Sequence, residues 1–328
     1  LKENRLVEAS ALYGEAVRQN PKDADALNDY GVVLIKLGDL EGAIENFTKA
    51  TEVNPKHVDA RYNLGQTQLQ TWKLNEAILS FTKTLELSPG YLDALFSLGR
   101  AHARSGHGPE ALQIFEKVVE VAPTSADGHY ELAMQLLAAD RRKEAISQLG
   151  EALRHNPRLA DAHRQLGLAM LAEGKASLAV PQLRSVLRER ADDPQAHYEL
   201  GRALGMLGQR AEAIASFREA LRLRADWPEA ANELAWLLAT APEDSLRNGA
   251  AAMNIAQRAA QLARLREPLV LDTLAAAQAE GGDFEAAIAT QQKSIEMGRE
   301  LGNEKLVAEF EKHLTQYRQK KPYRSGKE

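Results

Sequence analysis

The sequence contains no cysteine. Disulfides, thiol nucleophiles and cysteine-ligated zinc are therefore excluded, and the absence agrees with an oxidising, periplasmic or otherwise extracytoplasmic setting. Aromatic residues make up only 5% of the 328 positions, while Ala, Leu, Glu, Arg and Gln are abundant, a composition that favours helix. No apolar run approaches the roughly 18 residues of a membrane span, so no membrane insertion is expected within this chain. A net charge of -5 on this length supplies no electrostatic reason for a nucleic-acid partner or a lipid surface. No secretory signal pattern stands at the start.

What the sequence does contain is a period. "YNLG" at 62–65 returns as "FSLG" at 96–99, "YELA" at 130–133, "RQLG" at 164–167 and "YELG" at 198–201, each 34 residues on. "NDYG" at 28–31 precedes the series and "NELA" at 232–235 follows it. A fixed period of this size marks a repeat architecture, which grows by adding units to a continuous core. In the copy at 24–57, "ADALNDYGVVLIKLG" carries apolar residues at helical spacing and Gly38-Asp39 supplies a turn. "LEGAIENFTKATEVNP" is a second amphipathic stretch, stopped by Pro55. The unit is a helix–turn–helix hairpin, here called helix A and helix B, and its copies run 24–57, 58–91, 92–125, 126–159, 160–193 and 194–227.

The eighth place of the unit is small in every copy: Gly31, Gly65, Gly99, Ala133, Gly167, Gly201 and Ala235. Glycine inside a helix costs about 1 kcal/mol relative to alanine, so its recurrence needs an offsetting gain. The twentieth place is always alanine (Ala43, Ala77, Ala111, Ala145, Ala179, Ala213) and the twenty-seventh often is (Ala50, Ala152, Ala220). The expectation is that these small residues face one another and let helices A and B approach, with Leu64, Leu98, Leu132, Phe47, Phe81, Phe115 and Phe217 filling the seams.

This pattern of Leu-Gly, a helix-B alanine, an aromatic four later and a closing Pro55, Pro89, Pro123 or Pro157 resembles the tetratricopeptide repeat. The resemblance covers nearly the whole chain; Ala191 and Ala225 stand where the closing proline is missing. It implies an all-α fold, a right-handed superhelical solenoid of about eight units with a C-terminal capping helix and a concave groove lined by the A helices. Residues 1–23 read as a partial repeat, 24–227 as six contiguous repeats, 228–267 as a seventh with about five extra residues, and 268–301 as an eighth. Residues 302–319 form a polar closing helix and 320–328 a basic tail, expected to be solvated. The last quarter is similar to the ends of bacterial tetratricopeptide proteins, some of which carry an N-terminal membrane glycosyltransferase-like region. Leu1 falls on the twelfth place of the repeat, so further repeats or a membrane region are expected to precede it.

No catalytic constellation is present in the sequence. "GHGPEA" at 106–111 imitates part of a dinucleotide loop but lies between two helices rather than after a strand. His129, His163 and His197 recur at place four on successive A helices, about 8–10 Å apart, too far for one metal. Asp25, Asp59, Asp93, Asp127 and Asp161 sit in the first turn of their A helices, where a carboxylate meets the helix dipole favourably. No enzyme activity, cofactor or metal is expected.

The groove is the remaining candidate. In the family that the sequence resembles, helix-A places five and nine face inward. Place five holds Asn28, Tyr62, Phe96, Tyr130, Arg164 and Tyr198, and place nine includes Gln66, Arg100 and Arg202. Arg104 and Asn63 join them. Four aromatics interspersed with arginines suit an extended peptide, since Tyr and Arg commonly anchor interfaces. The expected function is a protein–protein interaction scaffold holding an extended peptide or partner helix. Two further readings are an accessory region of a membrane-bound glycosyltransferase-like protein and a structural subunit of an envelope-associated assembly.

Overall fold

The structure, a computed structural model, describes residues 2–264 and 266–326. Leu1 and Lys327, on which two of the expectations rest, lie outside the described residues. The described residues form eighteen α-helices and one short 3-10 turn, with no strand, so the all-α fold class expected from the period is what the chain adopts. The helices group into two compact units, one ending at Leu159 and the other beginning at Ala160.

The first unit holds α1 (Lys2–Gln19) and four A–B hairpins: α2 (Ala24–Leu37) with α3 (Leu40–Val53), α4 (Val58–Gln70) with α5 (Leu74–Leu87), α6 (Leu92–Arg104) with α7 (Gly108–Val121), and α8 (Ala126–Ala138) with α9 (Arg142–His155). The second holds α10 (Ala160–Ala172) with α11 (Ala176–Glu189), α12 (Pro194–Met206) with α13 (Arg210–Leu223), and α14 (Pro228–Thr240) with α15 (Gly249–Leu262). A 3-10 turn at Asp244–Leu246 lies between the last two. The hairpin of α16 (Pro268–Glu280) and α17 (Phe284–Glu300) follows, then α18 (Glu304–Arg318). Within each unit every helix packs on its sequence neighbours, as a stack in which one repeat buries its face only against the next.

Local chemistry fixes the hairpins. At the A-helix starts, Asp23, Ser125 and Asp193 accept from the backbone N–H three residues on (2.9, 3.1 and 3.0 Å), which satisfies one donor that the helix cannot. At the A–B turn the chain goes left-handed at place fifteen: Gly38, Gly106, Gly174 and Gly208 adopt φ between 71° and 85°. Trp72 (φ 60°) and Asp140 (φ 55°) hold the same place without glycine's freedom.

The A–B crossing differs from the expectation. The nearest neighbour of the place-eight glycine is the side chain of place twenty-four, a ring in four of these copies, rather than a small residue. A Cβ on Gly31 would lie 2.6 Å from Phe47, on Gly65 2.7 Å from Phe81, on Gly99 2.7 Å from Phe115 and on Gly201 2.7 Å from Phe217. All four rings are essentially fully buried. Where place twenty-four is Leu183, the approach to Gly167 relaxes to 3.1 Å. A flat ring laid on the A-helix backbone needs the missing methyl; a branched leucine crowds it less, and opposite Leu149 the chain carries Ala133 at the eighth place.

Two further expectations are corrected. The closing helix is not simply polar: α18 buries Phe310, His313, Leu314 and Tyr317. The basic tail is not solvated throughout, because Tyr323, Arg324 and Ser325 pack back on α14, α16 and α18.

Candidate functional site

The A-helix face of the first unit gathers most of the sequence candidates. Tyr62 and Phe96 are half-buried. The Tyr62 ring packs 6.0 Å from Phe81 of its own hairpin and 5.0 Å from Tyr91, and Phe96 stands edge-on to Phe115 at 6.3 Å. Each ring thus rests on the core with its inner edge and keeps an outer edge open. Gln66 Nε2 donates to the Tyr62 hydroxyl and, at 3.1 Å, to Ser97 Oγ. Asn63 Nδ2 donates to Asn28 Oδ1 at 2.9 Å. Side-chain bonds therefore run from each A helix to the next and hold the face in one arrangement.

The cations here are partly engaged. Arg100 Nε donates to Glu131 Oε1 at 2.8 Å, and its guanidinium lies 5.8 Å from the Phe96 centroid. It is nonetheless exposed, so the pair is screened and its strength modest. Arg104 lies 5.7 Å over Trp72. Tyr130 is half-buried on α8. Tyr62, Gln66, Phe96, Ser97 and Arg100, together with Asp93 and Asp127, line a shallow cavity of about 240 Å³.

The second unit treats its candidates differently. Arg164 is a half-buried ion-pair member: it contacts Asp193 and lies 3.7 Å from Glu199, with 14% of its side chain exposed. It is not available as a groove anchor. Burial pushes the Glu199 carboxyl up from its ordinary value, opposed by the Gln195 hydrogen bond and the nearby Arg164 charge. Tyr198 packs 5.9 Å from Phe217 and 4.7 Å from Trp227, with Arg202 5.9 Å over its ring. Burial raises its phenol too. Tyr198 lines a cavity of about 460 Å³ together with Asn232 and Glu233. Arg202 lines another of about 420 Å³ with Met206, Trp236 and Ser325. Desolvation raises the Glu233 carboxyl, against the pull of Arg202.

The place-four histidines are held by the repeat itself. His129 Nδ1 lies 2.6 Å from Gln148 Oε1 and its Nε2 3.0 Å from the Pro123 carbonyl. His163 meets Gln182 at 2.7 Å, and His197 meets the Ala191 carbonyl at 3.0 Å. His129 also stacks on His155 at 5.8 Å, beside Glu151. Each His129 nitrogen faces a protein oxygen, and the ligand-type atoms of His129, Glu151 and His155 lie within 4.8 Å of one another. The acidic row sits in first turns, and two members also pair, Asp25 with His57 at 3.2 Å and Asp161 with Arg190 at 2.7 Å. The Arg190 bond holds the Asp161 carboxyl below its usual value.

The residues overlooked in the sequence are the A-helix places of the last two repeats. Asn232, Trp236 and Asp272 occupy places five, nine and five of the seventh and eighth units, and the same counting finds them. Asp272 is buried with His313, whose Nδ1 lies 2.8 Å from Asp272 Oδ1, and Gln291 Nε2 donates to the same oxygen at 2.7 Å.

Models of the tetratricopeptide repeat match residues 1–45 with 73–134, 31–71, 130–194 and 194–227. No curated protein matches the chain. Among solved structures, the C-terminal part of a TPR repeat-containing protein from Cytophaga hutchinsonii is similar at 17% identity and a TM-score of 0.61, over 71% of this chain and 96% of that one. A tetratricopeptide repeat protein from Parabacteroides merdae is similar at 15% identity and a TM-score of 0.53, over 90% and 98%. YrrB, described as a TPR protein with an unusual peptide-binding site, is similar at 24% identity and a TM-score of 0.51, over 57% and 96%. At these identities the likeness concerns the fold.

Proposed function

The chain belongs to the tetratricopeptide-repeat family, and from that premise we propose that it is a non-catalytic scaffold that holds an extended peptide of a partner protein on the A-helix face of its first unit. The observation that carries this reading is the cavity where Tyr62 and Phe96 present outer ring edges beside Gln66 and Arg100. Half-exposed rings pre-set by core packing lose little freedom on binding, and the amide and guanidinium supply directed hydrogen bonds. YrrB, whose description names a peptide-binding site, lends the reading support by analogy of fold only. Among the described residues no helix is long and apolar enough to cross a membrane.

The test is selection of a displayed library of linear peptides on the full chain, followed by titration of the recovered peptides. Replacing Tyr62, Phe96 and Tyr130 together by alanine is expected to abolish binding while circular dichroism keeps its helical signal. Unchanged binding by the three-ring variant would move the working surface elsewhere.

A further inference from the structure

The segment after α18 is seated as an extended peptide on the second unit's own A-helix face. Its seat is created by the break in the period. Elsewhere the A helix ends in a left-handed residue whose N–H groups turn back onto the last carbonyls, as Gly38 does to Ile35. The chain leaves α14 instead through Ala241 at φ -52°, ψ 135° and enters the inserted loop. The carbonyls of Ala239 and Thr240 lie in the last turn, where a helix offers no internal donor. Ser325 N donates to Thr240 O at 2.9 Å, and Arg324 Nη1 lies 3.4 Å from Ala239 O.

The side chains of the segment meet a matching surface. Tyr323 packs 4.0 Å from the His313 ring and 5.7 Å from Trp236. Arg324 Nη2 lies 2.7 Å from Glu280 Oε2. Glu280 also holds Arg247 at 3.0 Å, so its carboxylate keeps a partner when Arg324 leaves. Ser325 lines the 420 Å³ cavity together with Arg202 and Met206. The recognised elements are an aromatic ring, an arginine one residue later and a backbone donor after it, and none of these is unique to this segment.

We propose that the face built by α14, α16 and α18 is a docking site for an extended segment of a partner protein carrying an aromatic–arginine pair. Tyr323-Arg324-Ser325 occupies it in cis and must be displaced. The proposal extends the scaffold reading to a second face, and it can fail while the first-unit cavity stands.

The probe is a labelled synthetic peptide, KKPYRSG, titrated against the full chain and its Tyr323→Ala/Arg324→Ala variant. Saturable binding to the variant, at least about tenfold tighter than to the native chain, is expected, with no binding of KKPARSG or KKPYASG. Adding Tyr62→Ala/Phe96→Ala to the released variant is expected to change nothing. If that addition abolishes binding, the peptide sits in the first-unit cavity, and the present proposal falls while the first gains. No saturable binding to the released variant, or equal binding of the alanine peptides, overturns it and leaves the segment a structural cap. Should the double variant lose its cooperative melting, Arg324→Ala alone serves, because Glu280 retains Arg247. A native dimer that the released variant does not form would make a second copy the occupant and overturn the assignment to a partner protein.

Discussion

The two units present the same kind of face in different states. In the first, four hairpins keep the 34-residue period without interruption, and the A-helix face carries Tyr62, Phe96 and Arg100 around an open cavity. In the second, an inserted loop follows α14, the left-handed cap is gone, and a segment of the same chain fills part of the corresponding places. Regularity makes a surface with equivalent, generic positions. A break in the period frees backbone carbonyls, which must find donors, and so creates a more specific recognition site. Local rules fail where a particular contact replaces them.

The largest expected effect that sharpens this contrast lies under the second unit's face. Asp272 accepts from both His313 and Gln291 in a buried setting. Asp272→Ala strands His313 Nδ1 and leaves Gln291 Nε2 only its longer bond to the Phe310 carbonyl at 3.3 Å, and removing one member of such a buried polar set costs about 3–5 kcal/mol. Thermal melting should show a loss of this size, whereas the part-buried Asn28–Asn63 pair of the first unit should tolerate Asn28→Ala or Asn63→Ala with far smaller shifts. Comparable losses would erase the distinction.

Next come the glycines. Gly65→Ala would place a methyl 2.7 Å from Phe81, while Gly90 has nothing within 4 Å of its added carbon. Overpacking of this kind costs about 1–3 kcal/mol, so Gly65→Ala should lower the melting temperature and Gly90→Ala should not. Gly167→Ala, opposite Leu183 at 3.1 Å, should fall between. Equal shifts for Gly65 and Gly90 would refute the ring-on-backbone account of the crossing.

The smallest effect has the opposite sign. Trp72 is 72% exposed and holds φ 60° at a place where other copies use glycine. A left-handed non-glycine residue costs about 1–2 kcal/mol, partly offset by glycine's freedom in the unfolded chain and by the lost Arg104 contact. Trp72→Gly is expected to stabilise the first unit by up to about 1 kcal/mol in a denaturant titration. A destabilised variant would mean that the Trp72–Arg104 contact outweighs the strain.

How much of this was legible follows from sequence distance. The hairpins and their turns depend on residues within one period, and alternation of small, apolar and turn residues displayed them directly. The glycine–ring pairing was also legible, because Gly accompanies Phe47, Phe81, Phe115 and Phe217 while Ala133 accompanies Leu149. The small residues of places eight and twenty suggest a small-on-small contact instead, but the nearest approach is to the side chain of place twenty-four. Tyr62 and Phe96 were found by counting places, as was Arg164; but counting cannot see that Asp193 and Glu199 close around Arg164. Asp272 meets His313 across 41 residues, and Thr240 meets Ser325 across 85. Both pairs involve residues outside the period, where no recurrence advertises a contact.

The most direct measurement is the affinity of one library-selected peptide for three proteins side by side: the native chain, Phe96→Ala and Arg324→Ala. The account predicts at least about tenfold weaker binding to Phe96→Ala and no weakening with Arg324→Ala, since the first unit's face does the holding. Full affinity in Phe96→Ala, or a loss caused by Arg324→Ala instead, would contradict it.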